Sequence, residues 1–124
     1  MDEIRLTLPD EPRFYPVAHL VLGGLGSRLQ LTVDGLDDLR LAVDSLLERA
    51  RRGSEVTIAI RIENETLFTD VGPFEPLTLE RELAAAERSG VIGLRRILDT
   101  VVDDVVVRVA DGGAWVTLEK RLAG

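Results

Sequence analysis

The sequence predicts an α+β fold of the two-layer α/β sandwich kind, in which a mixed or antiparallel sheet of about five strands carries helices on one face. Three observations lead there. Four of the five strand-like segments put apolar groups on one side and charged or small polar groups on the other, whereas a parallel sheet buried on both faces reads as continuous apolar runs. The intervening stretches place apolar residues at steps of three and four, the helical period. The resulting order, β-α-α-β-β-(α)-α-β-β, suits two layers around one core. With 124 residues, 45% apolar and 30% charged, the chain has the size and composition of a single domain, 1–124.

Each element has its own local reason. Ile4, Leu6 and Leu8 alternate with Arg5 and Thr7, a half-buried strand that Pro9 and Pro12 stop. From Arg13 to Leu29, Phe14, Val17, Leu20, Val21 and Leu25 recur at helical spacing, although Gly23, Gly24 and Gly26 each weaken a helix by about 1 kcal/mol. Either the helix frays there or something packs very close. Thr32-Val33-Asp34-Gly35 is a turn and cap signal, and Leu36, Leu39, Val43, Leu46, Leu47 and Ala50 then define a helix from Gly35 to Arg52. Val56, Ile58, Ile60 and Ile62 alternate with Thr57, Ala59, Arg61 and Glu63. Glu63-Asn64-Glu65 turns that strand into a partner running from Thr66 to Val71, with Asn64 suited to left-handed geometry. Gly72 to Pro76 reads as a loop, Thr78 to Arg88 as a short surface helix and Val91 to Val102 as a helix with a buried face. Strands at Val105–Ala110 and Ala114–Arg121 close the chain around Asp111-Gly112-Gly113, a hairpin turn.

Charge and residue usage exclude several functions. A formal charge of −7 lacks the basic footprint of a nucleic-acid binder. There is no cysteine, so disulfides, thiolate metal sites and cysteine catalysis are ruled out, and a single histidine, His19, rules out His-rich metal sites. No apolar run approaches the roughly 20 residues that span a bilayer, and the first residues are acidic where a signal peptide is basic. The expectation is a cytoplasmic protein with no nucleic-acid or membrane partner.

Four strings, in this order, carry more specific information: DDLRLAVDSLLERA (Asp37 to Ala50), FTDVGPF (Phe68 to Phe74), Gly93-Leu94 at a helix start and VTLEKRL (Val116 to Leu122). Together with the element order, they resemble the anti-sigma factor serine kinases of the RsbW and SpoIIAB type, in the histidine kinase-like (GHKL) ATPase superfamily. The resemblance covers nearly the whole chain. It implies that superfamily's fold and an ATP site between the second helix, a lid and the Asp-Gly loop. In such kinases a helix-borne Glu is the general base and an Asn four residues later coordinates Mg²⁺, both on one helical face.

Carried over residue by residue, the resemblance finds that site degenerate. Alignment on Leu41-Ala42-Val43 puts Ser45 in place of the Glu and Arg49 in place of the Asn, and the chain's only asparagine is Asn64, in a turn. Asp44 and Glu48 are four apart and would supply carboxylates after a one-residue slip; read by themselves they form a solvated helix face paired with Arg40 or Arg52. Asp70 matches the Asp that contacts adenine, and read alone is an acidic residue at a strand end. Gly72 keeps the turn, but the loop's second glycine is absent and Phe74 follows Pro73 directly. At the phosphate-cradling box Gly93 is kept, Val91 stands at the partner glycine's place and Gly90 lies one position too far upstream. Leu77 to Ser89 reads as an ordered helix where the kinases have a flexible lid, so it would fill the space of ATP.

Three further features read more plainly. Gly24-Leu25-Gly26 sits inside a helical pattern with no strand before it, a packing feature. His19 reads as structural or surface-exposed, with no Ser or Asp partner in view. Trp115 falls on the polar side of the last strand beside Thr117 and Glu119, an exposed anchor for protein contacts. The functional expectation is an anti-sigma-factor-like regulator without a working kinase site and without ATP or Mg²⁺ as cofactor. It would act by contacts with a sigma factor or an anti-sigma antagonist protein, with homodimerisation among the contacts the resemblance implies. Two alternatives stand beside it. One is an active ATP-binding serine/threonine kinase anti-sigma factor using Asp70, with Asp44 or Glu48 as substitute base or metal ligand. The other is a small interaction module sharing only the fold.

Overall fold

A computed structural model describes residues 3–28, 31–50, 55–85, 87 and 90–122. The strands are β1 (Glu3–Pro9), β2 (Glu55–Glu63), β3 (Thr66–Phe74), β4 (Asp104–Ala110) and β5 (Gly113–Arg121); the helices are α1 (Tyr15–Arg28), α2 (Val33–Arg49), α3 (Pro76–Ala84) and α4 (Leu94–Val101). A single 3-10 turn, Pro12–Phe14, leads into α1. The sheet order is β1-β2-β3-β5-β4 and every pair is antiparallel, so the expected choice between mixed and antiparallel resolves to antiparallel.

Both tight hairpins follow from turn chemistry. Asn64 and Glu65 take φ of 50° and 62°, and Asp111 and Gly112 take 53° and 78°. Left-handed residues at both central positions match the right-handed twist of the flanking strands. The first turn sets the β2–β3 register, with Glu63 opposite Thr66 and Ile60 opposite Thr69. Val56, Ile58 and Ile60 thereby share a face with Leu67 and Val71, and β5 adds Val116 and Leu118 to it. The helices cover this face, where Leu39, Leu46, Leu47, Leu79, Leu94 and Leu98 complete the core.

Helix α2 is positioned by a cap: the Thr32 hydroxyl accepts from the Gly35 N–H at 2.9 Å, relieving one of the unpaired amides of the first turn. At α3 the Glu75 carboxylate accepts from Leu77 and Thr78 N–H at 3.0 and 2.9 Å, and Pro76 stands where no donor is needed.

Several boundaries and one face differ from the sequence reading. On α1 the buried residues are Tyr15, Ala18, Leu22 and Leu25, whereas Val17 is 42% and Leu20 77% exposed. The helix is apolar all round, so periodicity alone could not choose its inner face; packing did. The Tyr15 hydroxyl donates to Asp10 Oδ1 (3.1 Å) and lies 3.2 Å from the Leu47 carbonyl, which fixes the rotation. The helix does not fray at its glycines through Gly26. A Cβ on Gly23 would stand 3.3 Å from an Arg40 guanidinium nitrogen and one on Gly26 3.2 Å from Leu36, so close packing against α2 is the reason for those two, whereas a Cβ on Gly24 would meet nothing within 4 Å and the packing reading does not hold there. The expected loop at Gly72 to Pro76 is instead strand as far as Phe74, with an irregular register between Val71 and Phe74. Helix α3 ends at Ala84 rather than Arg88, and α4 begins at Leu94 rather than Val91, leaving Val91 and Ile92 exposed. The expected ends at Leu29, Arg52 and Arg88, and the lid's end at Ser89, lie outside the described residues.

Candidate functional site

Helix α2 packs beside α4, and the two positions singled out on it meet very different surroundings. Ser45 faces inward and is 5% exposed. Arg49, one turn on, sends its guanidinium to the backbone carbonyl of Ile92, just before α4. A cation thus ties the end of α2 to the segment that opens α4. Gly93 caps α4, and its N–H points to Glu87 Oε2 at 3.4 Å while Arg96 donates to Glu87 Oε1 at 2.8 Å. The carboxylate lies at the positive end of the helix dipole, where an anion is stabilised.

Among the described residues Asp44 does not pair with Arg40, and Arg52 lies outside them. The Asp44 carboxylate lies 2.7 and 2.9 Å from His19 Nε2 on α1. The expectation that His19 has no acidic partner is therefore corrected by a contact between two helices 25 positions apart. A carboxylate only accepts, so Nε2 carries the proton in this pair. Glu48 is exposed on the same helix.

Asp70 lies on β3 among neighbours that the sequence reading did not connect with it. Leu67 and Val71 face the helices; Asp70, between them in phase, projects from the opposite face of the sheet. There it is only 8% exposed. Arg61 donates to its Oδ2 at 2.7 Å and the Thr117 hydroxyl to its Oδ1 at 2.5 Å, with Arg108 at 4.0 Å. Arg61 also pairs with Glu63 at 2.8 Å and lies over the Phe68 ring, 4.8 Å from its centre. The hydrogen bond to Glu63 and then the Asp70 charge raise the Arg61 pKa above its ordinary value, against the lowering effect of burial. The cluster is a neutralised polar network on the face that no helix covers.

Gly72 belongs to the same face. A Cβ there would come within 2.8 Å of the Trp115 ring and 3.0 Å of the Ala114 carbonyl. The glycine lets Trp115 lie flat on β3, so the ring is half-buried rather than exposed, with the Arg108 guanidinium 5.7 Å from its centre. Ser45, Arg49 and Gly93 are thus gathered around the α2–α4 contact, while Asp70, Gly72 and Trp115 are gathered on the other side of the sheet. Among the described residues no group of three His, Asp or Glu side chains is arranged to hold a metal, and no helix is long and apolar enough to cross a membrane.

No protein-family model matches the chain. Individual relatives do. The serine-protein kinase RsbW of Bacillus velezensis is 25% identical over all of this chain and 88% of its own length, and that of Bacillus subtilis 25% over 99% and 88%. The Listeria innocua RsbW is 26% identical over 90% of this chain and 82% of its own. The chain is thus similar over nearly its whole length to RsbW serine-protein kinases. A crystal structure containing the RsbU and RsbW domains of a Mycobacterium tuberculosis protein superposes with a TM-score of 0.70 at 14% identity, covering 98% of this chain and 33% of that one. At that identity the likeness speaks for the fold, and it agrees with the RsbW-like, histidine kinase-like architecture expected from the sequence.

Arg61, Thr117, the His19–Asp44 pair and Glu87 did not figure among the candidate residues. Arg61 and Thr117 were legible in principle, since hairpin register and strand alternation place them beside Asp70. The His19–Asp44 contact and the Glu87 contact across α4 had no local signal.

Proposed function

We propose that this RsbW-like chain is an anti-sigma-factor-like regulator that works through protein contacts in a partner-switching system, and that it does not transfer phosphate from ATP. The observation that carries the second half is the α2 surface. Magnesium takes oxygen ligands, and phosphoryl transfer depends on metal neutralisation and positioning. At the two positions that the resemblance assigns to base and metal ligand, α2 offers a buried serine and an arginine whose guanidinium is spent on the Ile92 carbonyl. A fixed cation repels Mg²⁺, and a serine hydroxyl is a poor base. Asp70, the assigned adenine contact, is engaged by Arg61 and Thr117. These residues do not fit Mg²⁺-ATP. The first half rests on the RsbW homologues, whose resemblance implies a sigma factor or an anti-sigma antagonist as partner.

Calorimetry with Mg²⁺-ATP, with ADP as control, tests the nucleotide half; no binding heat is the expected result, and micromolar affinity would overturn it. Affinity purification from the source cells tests the regulatory half. Recovery of a sigma factor or an antagonist protein supports it, and recovery of neither counts against it. The second reading is an active serine kinase, favoured by the activity in the homologues' name. Transfer of labelled phosphate from ATP to a co-purified antagonist would establish it.

A further inference from the structure

Helix α1 has an apolar face that the core does not use. Val17 and Leu20 are exposed, while Tyr15, Ala18, Leu22 and Leu25 are buried. Gly24 lies one turn after Leu20, exposed, with open space where a Cβ would stand. A glycine in the middle of a helix weakens it, and among the described residues no contact requires this one. It suits a place where a backbone from outside the chain comes close. Helix α2 runs antiparallel alongside: Tyr15 meets Leu47, His19 meets Asp44, Gly23 meets Arg40 and Gly26 meets Leu36. Just outside that seam Asp37, Leu41 and Glu48, spaced by four and seven, form a second ridge. Leu41 is 48% exposed. Asp37 and Glu48, with Asp34 in the first turn, are exposed and have no cation partner among the described residues. Arg40 lies in the seam against Gly23, so the outer ridge of α2 stays acidic.

We propose that the outer α1–α2 face docks an amphipathic helix of another protein. Its apolar stripe covers Leu20 and Leu41, its backbone approaches at Gly24, and its lysine- or arginine-bearing flank meets Asp37 and Glu48. Two parallel ridges with a shallow groove between them suit a helix laid in a groove, anchored by a few apolar side chains one and two turns apart. Charge selects the occupant. An anionic lipid surface would be repelled by the acidic ridge, and a second copy of the chain, at −7, would bring acid to acid. A basic flank instead supplies the counter-charges that Asp37 and Glu48 lack. The inference goes beyond the regulatory reading above, since it concerns this surface and the chemistry of the helix that fits it, whether or not that helix belongs to a sigma factor.

The test is an NMR titration of the isotope-labelled full chain with a synthetic peptide of leucine and lysine, about 18 residues or five turns long, patterned as an amphipathic helix. A peptide of the same composition, scrambled so that leucine is spread around the helix, and a leucine–glutamate counterpart are the controls. Amide shifts confined to α1 and α2 are expected, with micromolar affinity for the patterned basic peptide only. Leu20→Asp should weaken binding by about tenfold or more, and so should Asp37→Lys combined with Glu48→Lys. Glu80→Lys, an exposed carboxylate on α3, changes the net charge equally and should leave the affinity within about twofold. All four positions are exposed, so folding is not at stake in these variants. Shifts centred on the open sheet face, equal binding of the scrambled or acidic peptide, or indifference to Leu20→Asp would each overturn the proposal. Phosphatidylglycerol vesicles that broaden the α1 signals of the parent but not of Leu20→Asp would replace the partner helix by a lipid surface. Self-association abolished by Leu20→Asp would replace it by a second copy, and either result would likewise refute the proposal.

Discussion

Replacing Asp70 by alanine should cost stability, through a route that has nothing to do with nucleotide. The carboxylate accepts from Arg61 at 2.7 Å and from the Thr117 hydroxyl at 2.5 Å, and it is 8% exposed. Its removal leaves the Thr117 hydroxyl buried without its acceptor, a cost of about 1–2 kcal/mol. Arg61 is less affected, because it keeps Glu63 at 2.8 Å and some solvent access, so the broken ion pair adds about 1 kcal/mol rather than the several expected of a fully buried charge. The sum is about 2–3 kcal/mol. Unfolding entropy near 2 cal/mol/K per residue gives about 4 °C per kcal/mol for a chain of this length, so Asp70→Ala should melt about 8–12 °C lower. Circular dichroism melts with urea titrations read this directly. The Arg61 half introduces no pH dependence in the working range. A base whose folded pKa is raised adds stability that is complete below its unfolded pKa and lost as pH rises through the folded one, and for Arg61 the raised value starts from a guanidinium that is already protonated throughout the working range. A melting point for Asp70→Ala within about 2 °C of the parent would refute the network as described.

Three other substitutions follow from particular contacts. Thr69 is fully buried with its hydroxyl unpartnered, so Thr69→Val, of nearly equal volume, should stabilise by about 1 kcal/mol in urea unfolding. Gly72→Ala would set a Cβ 2.8 Å from the Trp115 ring and 3.0 Å from a backbone oxygen that cannot yield; a loss of about 1–3 kcal/mol is expected, with a shift in tryptophan fluorescence as the ring lifts. Thr32→Ala removes the cap of α2, bonded at 2.9 Å, and should cost about 1 kcal/mol in the same urea measurement.

How far the sequence could be read depended on the range of the interaction. The β2–β3 hairpin was legible because Asn64 and strict alternation act within a few residues, and so was the Thr32 cap. Asp70 is instructive. Read alone it was an acidic residue at a strand end and the resemblance pointed to a ligand contact, although alternation with Leu67 and Val71 would have placed it on the face away from the helices; the structure shows the Arg61 and Thr117 partners that alternation allowed. Phe68, opposite Arg61, belongs to the same readable register. On α1, by contrast, Val17 and Leu20 were indistinguishable by hydropathy from Leu22 and Leu25, because that helix has no polar face to mark what points outward.

Sequence by itself determined the elements, the two hairpins, a sheet whose one-sided alternation excludes the wholly parallel kind, and the presence of Ser45 and Arg49 at the two α2 positions to which the resemblance assigns base and metal ligand. Tertiary structure decided which face of α1 is buried, that β3 lies beside β5, that Asp44 meets His19, and that Glu87 rests at the start of α4. The physical reason is that turn and strand geometry are set by steric and hydrogen-bonding preferences spanning a few residues. The choice among several equally apolar faces, and among several carboxylates near a helix end, is made only when distant segments compete for the same core and the same charges.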